Sequence, residues 1–191
     1  MNLLCWASRL AVFVCVLPAL ASAEALPLSA RGQIEVAFTP GDDAASLIQS
    51  HLAKARRQIL VQAYSFTHKA LAESLVAAQK RGVEVLVLAD RQQTENGQTS
   101  VIGWLVEQGV PVWADADHAA AHNKVMVLDA GTPQAVLITG SFNFTHAAQF
   151  RNAENLMVLS GNQPLAEAFA ANWRRHRAHS LRLGREHLLP R

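Results

Sequence analysis

Apolar residues along the chain recur at two spacings, every second residue and about every 3.6 residues, and the two spacings alternate. Segments with the two-residue spacing or a short apolar run predict strands at 33–39, 58–65, 83–90, 110–114, 125–128, 135–139 and 154–159. Segments with the helical spacing predict helices at 44–57, 68–81, 100–108 and 164–178. Strands and helices alternate without a low-complexity linker, so the pattern predicts one α/β domain over 24–180 and a loosely held tail over 181–191.

The first 23 residues have a different pattern from the rest of the chain. Arg9 precedes an apolar run from Leu10 to Leu20, and Ala21-Ser22-Ala23 fits the small-x-small rule for signal cleavage. The run is too short to span a bilayer comfortably, which disfavours a membrane anchor. We therefore expect residues 1–23 to be a cleaved signal peptide and the mature protein to be periplasmic or secreted.

Composition narrows the chemistry that the mature chain can use. Both cysteines, Cys5 and Cys15, lie in the predicted signal peptide, so the mature chain has no disulfide and no cysteine ligand for a metal. Removing Arg9 leaves 16 Lys and Arg against 15 Asp and Glu, a net charge of about +1 that attracts polyanions weakly. His118 and His146 are candidates for lining a groove, although histidines of surface loops are the simpler interpretation. There is no H-E-x-x-H motif, cysteine pair or dense carboxylate cluster that would form a set of metal ligands. We therefore expect no metal and no cofactor.

Four polar residues stand at the two ends of a predicted hairpin formed by 125–128 and 135–139. If Asp129 and Gln134 close its loop, Lys124 lies opposite Thr139 and the residue two before it lies opposite Ser141. A polar cluster then shares one face at the open end of the hairpin, made of His122, Lys124, Ser141 and Asn143. Asp129 lies five residues after Lys124, so it points to the other face, and an extended strand carries it about 23 Å from His122. We expect Asp129 to be structural.

The same residues resemble the signature of the phospholipase D superfamily. His122-x-Lys124-x4-Asp129 is followed by Gly140-Ser141-x-Asn143, although the gap between the aspartate and the glycine is ten residues, longer than the family pattern. Within the superfamily the chain resembles small secreted bacterial endonucleases of the Nuc type, in the segments AYSFT (63–67), KRGVEVLVLAD (80–90), GSFNFT (140–145) and NAENLMVL (152–159). The resemblance implies a single phospholipase D-like domain whose mixed sheet has helices on both faces.

The resemblance also implies a mechanism and roles for the motif residues. The histidine of the motif, here His122, attacks a phosphodiester, while Lys124 and Asn143 bind phosphate oxygens without a metal. Ser141 can add a hydrogen-bond donor, and the glutamate at the place of Glu154 orients the histidine. These residue types suit the reaction, which needs a nucleophile, a proton donor and positive charge at the phosphoryl group. The alternative for Glu154 is an ordinary charge at a strand end.

The chain contains one His-x-Lys, so the histidine that protonates the leaving oxygen is missing. A symmetric dimer that brings two copies of His122 together supplies it, and resemblance to the Nuc type implies the same arrangement. His68, in the stretch SFTHK, is the alternative acid within the chain, although a surface histidine at a helix start is the simpler interpretation.

Three functions are compatible with these residues. The first is a homodimeric endonuclease acting on DNA, with RNA as a second substrate. The second is a phospholipase D or cardiolipin-type hydrolase, which the lack of an amphipathic or aromatic-rich membrane-binding segment after residue 23 disfavours. The third is a non-catalytic module that binds nucleic acid or lipid, which the joint presence of all the motif residues disfavours.

Overall fold

The computed structural model describes residues 25–97 and 99–187. The strands of its single sheet are β1 (Gln33–Thr39), β2 (Gln58–Ala63), β3 (Glu84–Asp90), β4 (Val112–Asp115), β5 (Lys124–Leu128), β6 (Val136–Gly140), β7 (Glu154–Ser160) and β8 (Leu181–Leu183). The helices are α1 (Ala44–Lys54), α2 (Lys69–Lys80), α3 (Arg91–Asn96), α4 (Ile102–Glu107), α5 (His146–Phe150) and α6 (Gln163–His179). The predicted signal peptide lies outside the described residues.

The sheet is mixed, with the strand order β1-β7-β6-β5-β2-β3-β4-β8. Strands β2, β3 and β4 are parallel, whereas β5 runs antiparallel to β2 and the remaining neighbours are also antiparallel. The carboxyl ends of the three parallel strands therefore meet the start of β5 and the end of β6. We call this end of the sheet the site edge; it includes Ala63, Asp90, Asp115, Lys124 and Gly140.

Helices cover both faces of the sheet, as predicted. On one face, α1 and α2 bury apolar stripes that include Ile48, Leu52, Leu71 and Leu75. On the other face, α6 buries Ala166, Ala170 and Trp173 against strands β2 to β6. The indole of Trp173 also donates a hydrogen bond to the Val61 carbonyl oxygen at 2.8 Å, which fixes the height of α6 along the sheet.

The structure differs from the predicted elements in three short segments. Residues 181–183, assigned to the loose tail, pair with β4 as an edge strand, and a 3-10 turn follows at Arg185–His187. Helices α3 and α5 were not predicted, because five or six residues are too few to show a helical period. The N-terminus of each helix is capped by a side chain that accepts a hydrogen bond from a backbone N–H. The capping residue is Asp90 in α3 and Thr145 in α5.

Within the described ranges, no helix combines the length and the apolar character that crossing a bilayer requires.

Candidate active site

His122 and Lys124 are in direct contact at the site edge. Lys124 is the first residue of β5 and is buried, whereas His122 precedes the strand and is exposed to solvent. The Lys124 Nζ lies 2.8 Å from His122 Nδ1 and 2.7 Å from the carbonyl oxygen of His122. The pair therefore presents an imidazole and an ammonium group side by side, a nucleophile next to a positive charge.

Tyr64 supports this pair from the end of β2. Its ring centre lies 4.3 Å from that of His122 and 5.0 Å from the Lys124 Nζ, the second being a cation–π distance. The Tyr64 hydroxyl accepts a hydrogen bond from Gln93 at 3.2 Å, which holds the ring in place. A role for Tyr64 was not predicted from the sequence, where its signal is an aromatic residue directly after a buried strand.

Asp90 holds the loop that carries His122. It is the last residue of β3 and is buried, and its Oδ2 accepts a hydrogen bond from the backbone N–H of Ala121 at 2.9 Å. Its Oδ1 accepts from the N–H of Gln93 at 2.8 Å and so starts α3 as well. Asp90 was also missed, although a carboxylate ending the apolar run VLVLA was a signal that something must pair with it.

Two opposing effects act on the pKa of Lys124. Burial of its side chain lowers its pKa below the ordinary value, and the negative charge of Glu154 opposes that shift. The carboxylate of Glu154 accepts a hydrogen bond from Asn152 at 3.1 Å. Among residues 25–97 and 99–187, the hydrogen-bond partner of His122 Nδ1 is Lys124 and not Glu154. The predicted contact between Glu154 and His122 is therefore not made, and the charge of Glu154 acts on Lys124 instead.

The predicted hairpin register is wrong by one residue. Val125 pairs with Thr139, which places Lys124 opposite Gly140 instead of Thr139. The reason is the length of the turn: it spans residues 129–135 in two consecutive turns, closed by hydrogen bonds from Thr132 N–H to Asp129 O and from Ala135 N–H to Thr132 O. Alternation along a regular hairpin therefore does not group His122 and Lys124 with Ser141 and Asn143.

Ser141 and Asn143 reach the site edge through a break in β6. Gly140 has a φ of 151°, and a side chain there would collide with the Asn155 backbone. The N–H groups of Ser141 and Phe142 then both donate to the Asn155 carbonyl oxygen, a bulge that redirects the chain. The Ser141 hydroxyl oxygen accepts from the Asn155 N–H at 3.0 Å, which leaves its proton free for a substrate.

Asp129 lies at the opposite end of β5 from Lys124, with a φ of 50°. Its buried carboxylate accepts hydrogen bonds from three consecutive backbone N–H groups, those of Arg56, Arg57 and Gln58, at distances of 2.7 to 3.2 Å. These contacts tie the connection between α1 and β2 to the hairpin turn. At this position Asp129 is remote from the His122–Lys124 pair, so the structure supports a structural role for it.

A cleft of about 750 Å³ opens at the same end of the sheet as Asp129. Its lining includes the basic residues Lys54, Arg56 and Arg57. It lies away from His122, so it is not the place where the His122–Lys124 pair would meet a phosphodiester.

A second polar cluster lies on the site edge at β4. The buried Asp115 is surrounded by three imidazoles, those of His118, His176 and His179. Burial raises the pKa of Asp115, but hydrogen bonds with His118 and His176 and from the Asp117 N–H outweigh it and lower the pKa to about 2. The expectation that the chain holds no cluster of metal-binding groups is therefore wrong, because His118 is not an isolated surface histidine.

Comparison with known proteins agrees with the motif. Residues 48–177 match the family described as cardiolipin synthase, PLD-like domain. The phospholipase D of Rickettsia typhi is 36% identical over 148 residues, which cover 78% of this chain and 70% of the relative. Human mitochondrial cardiolipin hydrolase is 32% identical over 124 residues, which cover 64% of this chain and 47% of that protein.

Solved structures show the same fold. Nuc from Salmonella typhimurium, a phospholipase D family member, superimposes with a TM-score of 0.74 and 32% identity over 80% of this chain and 98% of Nuc. NucT from Helicobacter pylori superimposes with a TM-score of 0.70 and covers 79% of this chain and 99% of its own, but at 21% identity it shows the fold alone. The predicted similarity to Nuc is confirmed, and the chain belongs to the phospholipase D superfamily.

Proposed function

We propose that the protein is a secreted endonuclease that cleaves DNA, and RNA as a second substrate, without a metal ion at the reacting phosphate. A second copy of the chain completes its active site. One observation carries the proposal: His122 is exposed at the site edge and bonded to the buried Lys124, yet no other histidine stacks on or hydrogen-bonds to His122 in the described part of the chain. The chain thus presents half of a phosphodiesterase site.

The proposed reaction has two steps. In the first, His122 Nε2 of one chain attacks phosphorus, the P–O bond to the leaving oxygen breaks, and that oxygen takes a proton from His122 of the other chain. In the second, the now neutral imidazole takes a proton from water, whose oxygen attacks the phosphohistidine and releases the first His122. The two Lys124 ammonium groups neutralise the non-bridging oxygens throughout.

An apolar strip next to the site edge supports a dimer. Ile34, Val36 and Phe38 point to one side of β1, and between 47% and 62% of each side chain is exposed. Phe38 pairs with Asn155, whose N–H donates to the Ser141 hydroxyl oxygen, so the strip reaches the motif. Helix α6 packs on the strands from β2 to β6, which leaves this side of β1 for a second copy of the chain.

Two buried polar atoms indicate that another molecule contacts the chain near the site edge. Asn143 Oδ1 and His68 Nδ1 lack a hydrogen-bond partner among the described residues. They belong to neighbouring segments, because the Phe144 carbonyl oxygen accepts from the N–H groups of Thr67 and His68. Buried polar atoms are normally paired, so a substrate or a second chain that brings partners to this edge explains them.

His68 is a weaker candidate for the acid than a second His122. It is half-buried, and burial together with the positive charge of His146 lowers its pKa. A histidine with a lowered pKa is protonated less often at neutral pH and so delivers a proton less often. In a dimer the second His122 supplies the proton, so His68 is not required as the acid.

The second candidate function is hydrolysis of a phospholipid. It is favoured by relatives named phospholipase D and mitochondrial cardiolipin hydrolase. Nucleic acid is preferred because the chain matches Nuc over 98% of Nuc's length, whereas both named lipid enzymes extend well beyond the matched region. Secretion is proposed from the leader pattern of residues 1–23.

Parallel assays of the mature chain on plasmid DNA, RNA and cardiolipin vesicles test the function. We expect cleavage of DNA, weaker cleavage of RNA, and no product from the vesicles. His122→Ala should abolish cleavage, and His187→Ala, which changes an imidazole in the C-terminal turn, should not. Release of phosphatidic acid with intact plasmid would favour the lipid function, and binding of DNA without cleavage would favour a non-catalytic module.

A further inference from the structure

Four side chains at the end of β4 converge on one point. Asp115 ends β4, His118 lies three residues later in the loop to β5, and His176 and His179 lie in the last turn of α6. His118 Nδ1 and His176 Nδ1 are each 3.1 Å from Asp115 Oδ2, and His179 Nε2 is 3.5 Å from it. One ligand atom from each residue lies within 4.8 Å of all the others.

These distances match a tetrahedral zinc site. With Zn–N and Zn–O bonds of about 2.0–2.1 Å, the ligand atoms of a tetrahedron are about 3.4 Å apart. Under the same geometry, the centres of three coordinating imidazole rings lie about 5 Å from one another. The three ring separations in the cluster are 4.9, 5.3 and 5.4 Å. Small rotations of the side chains bring all four ligands onto one ion.

The chemistry of the donors also favours a metal over a simple hydrogen-bonded cluster. Without a metal, the carboxylate of Asp115 can neutralise one protonated imidazole. The other two imidazoles then compete for hydrogen bonds to the same two carboxylate oxygens. Three neutral imidazoles and a carboxylate suit a first-row divalent cation such as Zn²⁺. Asp115 is fully buried, so its carboxylate is already desolvated and fixed.

We propose that Asp115, His118, His176 and His179 bind a structural zinc ion. The ion would join the end of β4 and the end of α6 to the loop that carries His122, which follows His118 by four residues. Asp115 and Lys124 are separated by three strand spacings along the sheet, about 14 Å at 4.7–4.9 Å per spacing. At that separation the ion stabilises the loop and takes no part at the phosphate.

Metal titration of the chelator-treated mature protein tests the site. We expect one Zn²⁺ per chain by calorimetry, and one Co²⁺ with the intense visible absorption of tetrahedral cobalt. His118→Ala and His179→Ala each remove a ligand and should weaken zinc binding more than about 100-fold, since even loss of a supporting contact costs 10- to 100-fold. His187→Ala removes an imidazole outside the cluster and should bind zinc like the wild type.

Circular dichroism of each variant shows whether it is folded before titration. Failure of the folded wild type to bind either ion would overturn the site. Equal affinity in the wild type and in both folded ligand variants would also overturn it, as would the weak spectrum of six-coordinate cobalt. None of these readouts involves turnover, so they are independent of the proposed nuclease activity.

Discussion

The Lys124 Nζ lies 2.8 Å from His122 Nδ1. A charged ammonium group can only donate, so Nδ1 accepts, and a neutral imidazole then carries its proton on Nε2. An Nε2 that carries a proton cannot attack phosphorus. We therefore expect the free chain to hold His122 in an inactive tautomer until a substrate draws Lys124 toward the phosphate and the proton shifts to Nδ1.

The first prediction concerns this tautomer. In the free protein, ¹⁵N spectra of labelled histidine should show His122 protonated at Nε2, and an added phosphate analogue such as vanadate should shift the proton to Nδ1. If Glu154 accepts Nδ1–H once Lys124 has moved, as the family resemblance implies, Glu154→Gln should weaken the shift. A proton on Nδ1 already in the free protein would contradict the arrangement.

The second prediction uses the buried position of Lys124. Burial lowers the pKa of Lys124 in the folded chain. The folded state therefore releases this proton at a lower pH than the unfolded state, in which the pKa of lysine is about 10.4. Stability therefore rises with pH in the interval between the two values. Relative to Lys124→Met, the wild type should gain unfolding free energy as the pH rises through that interval, measured by urea titration. Parallel curves for the two proteins would contradict the shift.

The third prediction separates Asp129 from the chemistry. Asp129→Asn keeps one carbonyl oxygen for three backbone N–H groups, so part of a buried hydrogen-bond set is lost at a cost of about 1–3 kcal/mol. We expect a lower urea midpoint and, in conditions where the variant is folded, a turnover within a few-fold of the wild type. Unchanged stability with lost turnover would place Asp129 in the reaction.

The fourth prediction concerns chelation. With excess EDTA, and below the melting temperature of the stripped protein, cleavage should continue, because Lys124 supplies the positive charge at the phosphate. The melting temperature should fall, because the cluster around Asp115 loses its ion. Loss of cleavage in a protein that is still folded by circular dichroism, with recovery on adding Mg²⁺ or Zn²⁺, would show that the reaction needs a metal.

The sequence predicted the parts of the site that depend on local spacing. Residues two apart on a strand share a side, so the sequence predicted that His122 and Lys124 lie on one side, although His122 lies just before β5 and their direct contact was not predicted. The core strands and all four predicted helices, now α1, α2, α4 and α6, were also predictable, because their apolar spacing is a local property of the sequence. Register was predicted incorrectly because it depends on the turn over residues 129–135, whose backbone conformation no residue pattern there specified.

The cluster around Asp115 could not be predicted from local spacing. Asp115 and His176 are 61 residues apart and meet only because α6 packs across the sheet with Trp173 beneath it. His118 by itself is indistinguishable from any loop histidine. Tyr64 and Asp90 were missed for a related reason, since each acts on His122 or its loop through a neighbouring strand.

The central claim is that one active site needs His122 from two chains, and mixed dimers test it most directly. Wild-type and His122→Ala chains are mixed at known ratios, exchanged by mild unfolding and refolding, and assayed at constant total protein. A mixed dimer has one copy of His122 and should show almost no turnover, so activity should follow the square of the wild-type fraction. A linear dependence, or full activity in a species that sediments as a monomer, would contradict the claim and assign the acid to the same chain.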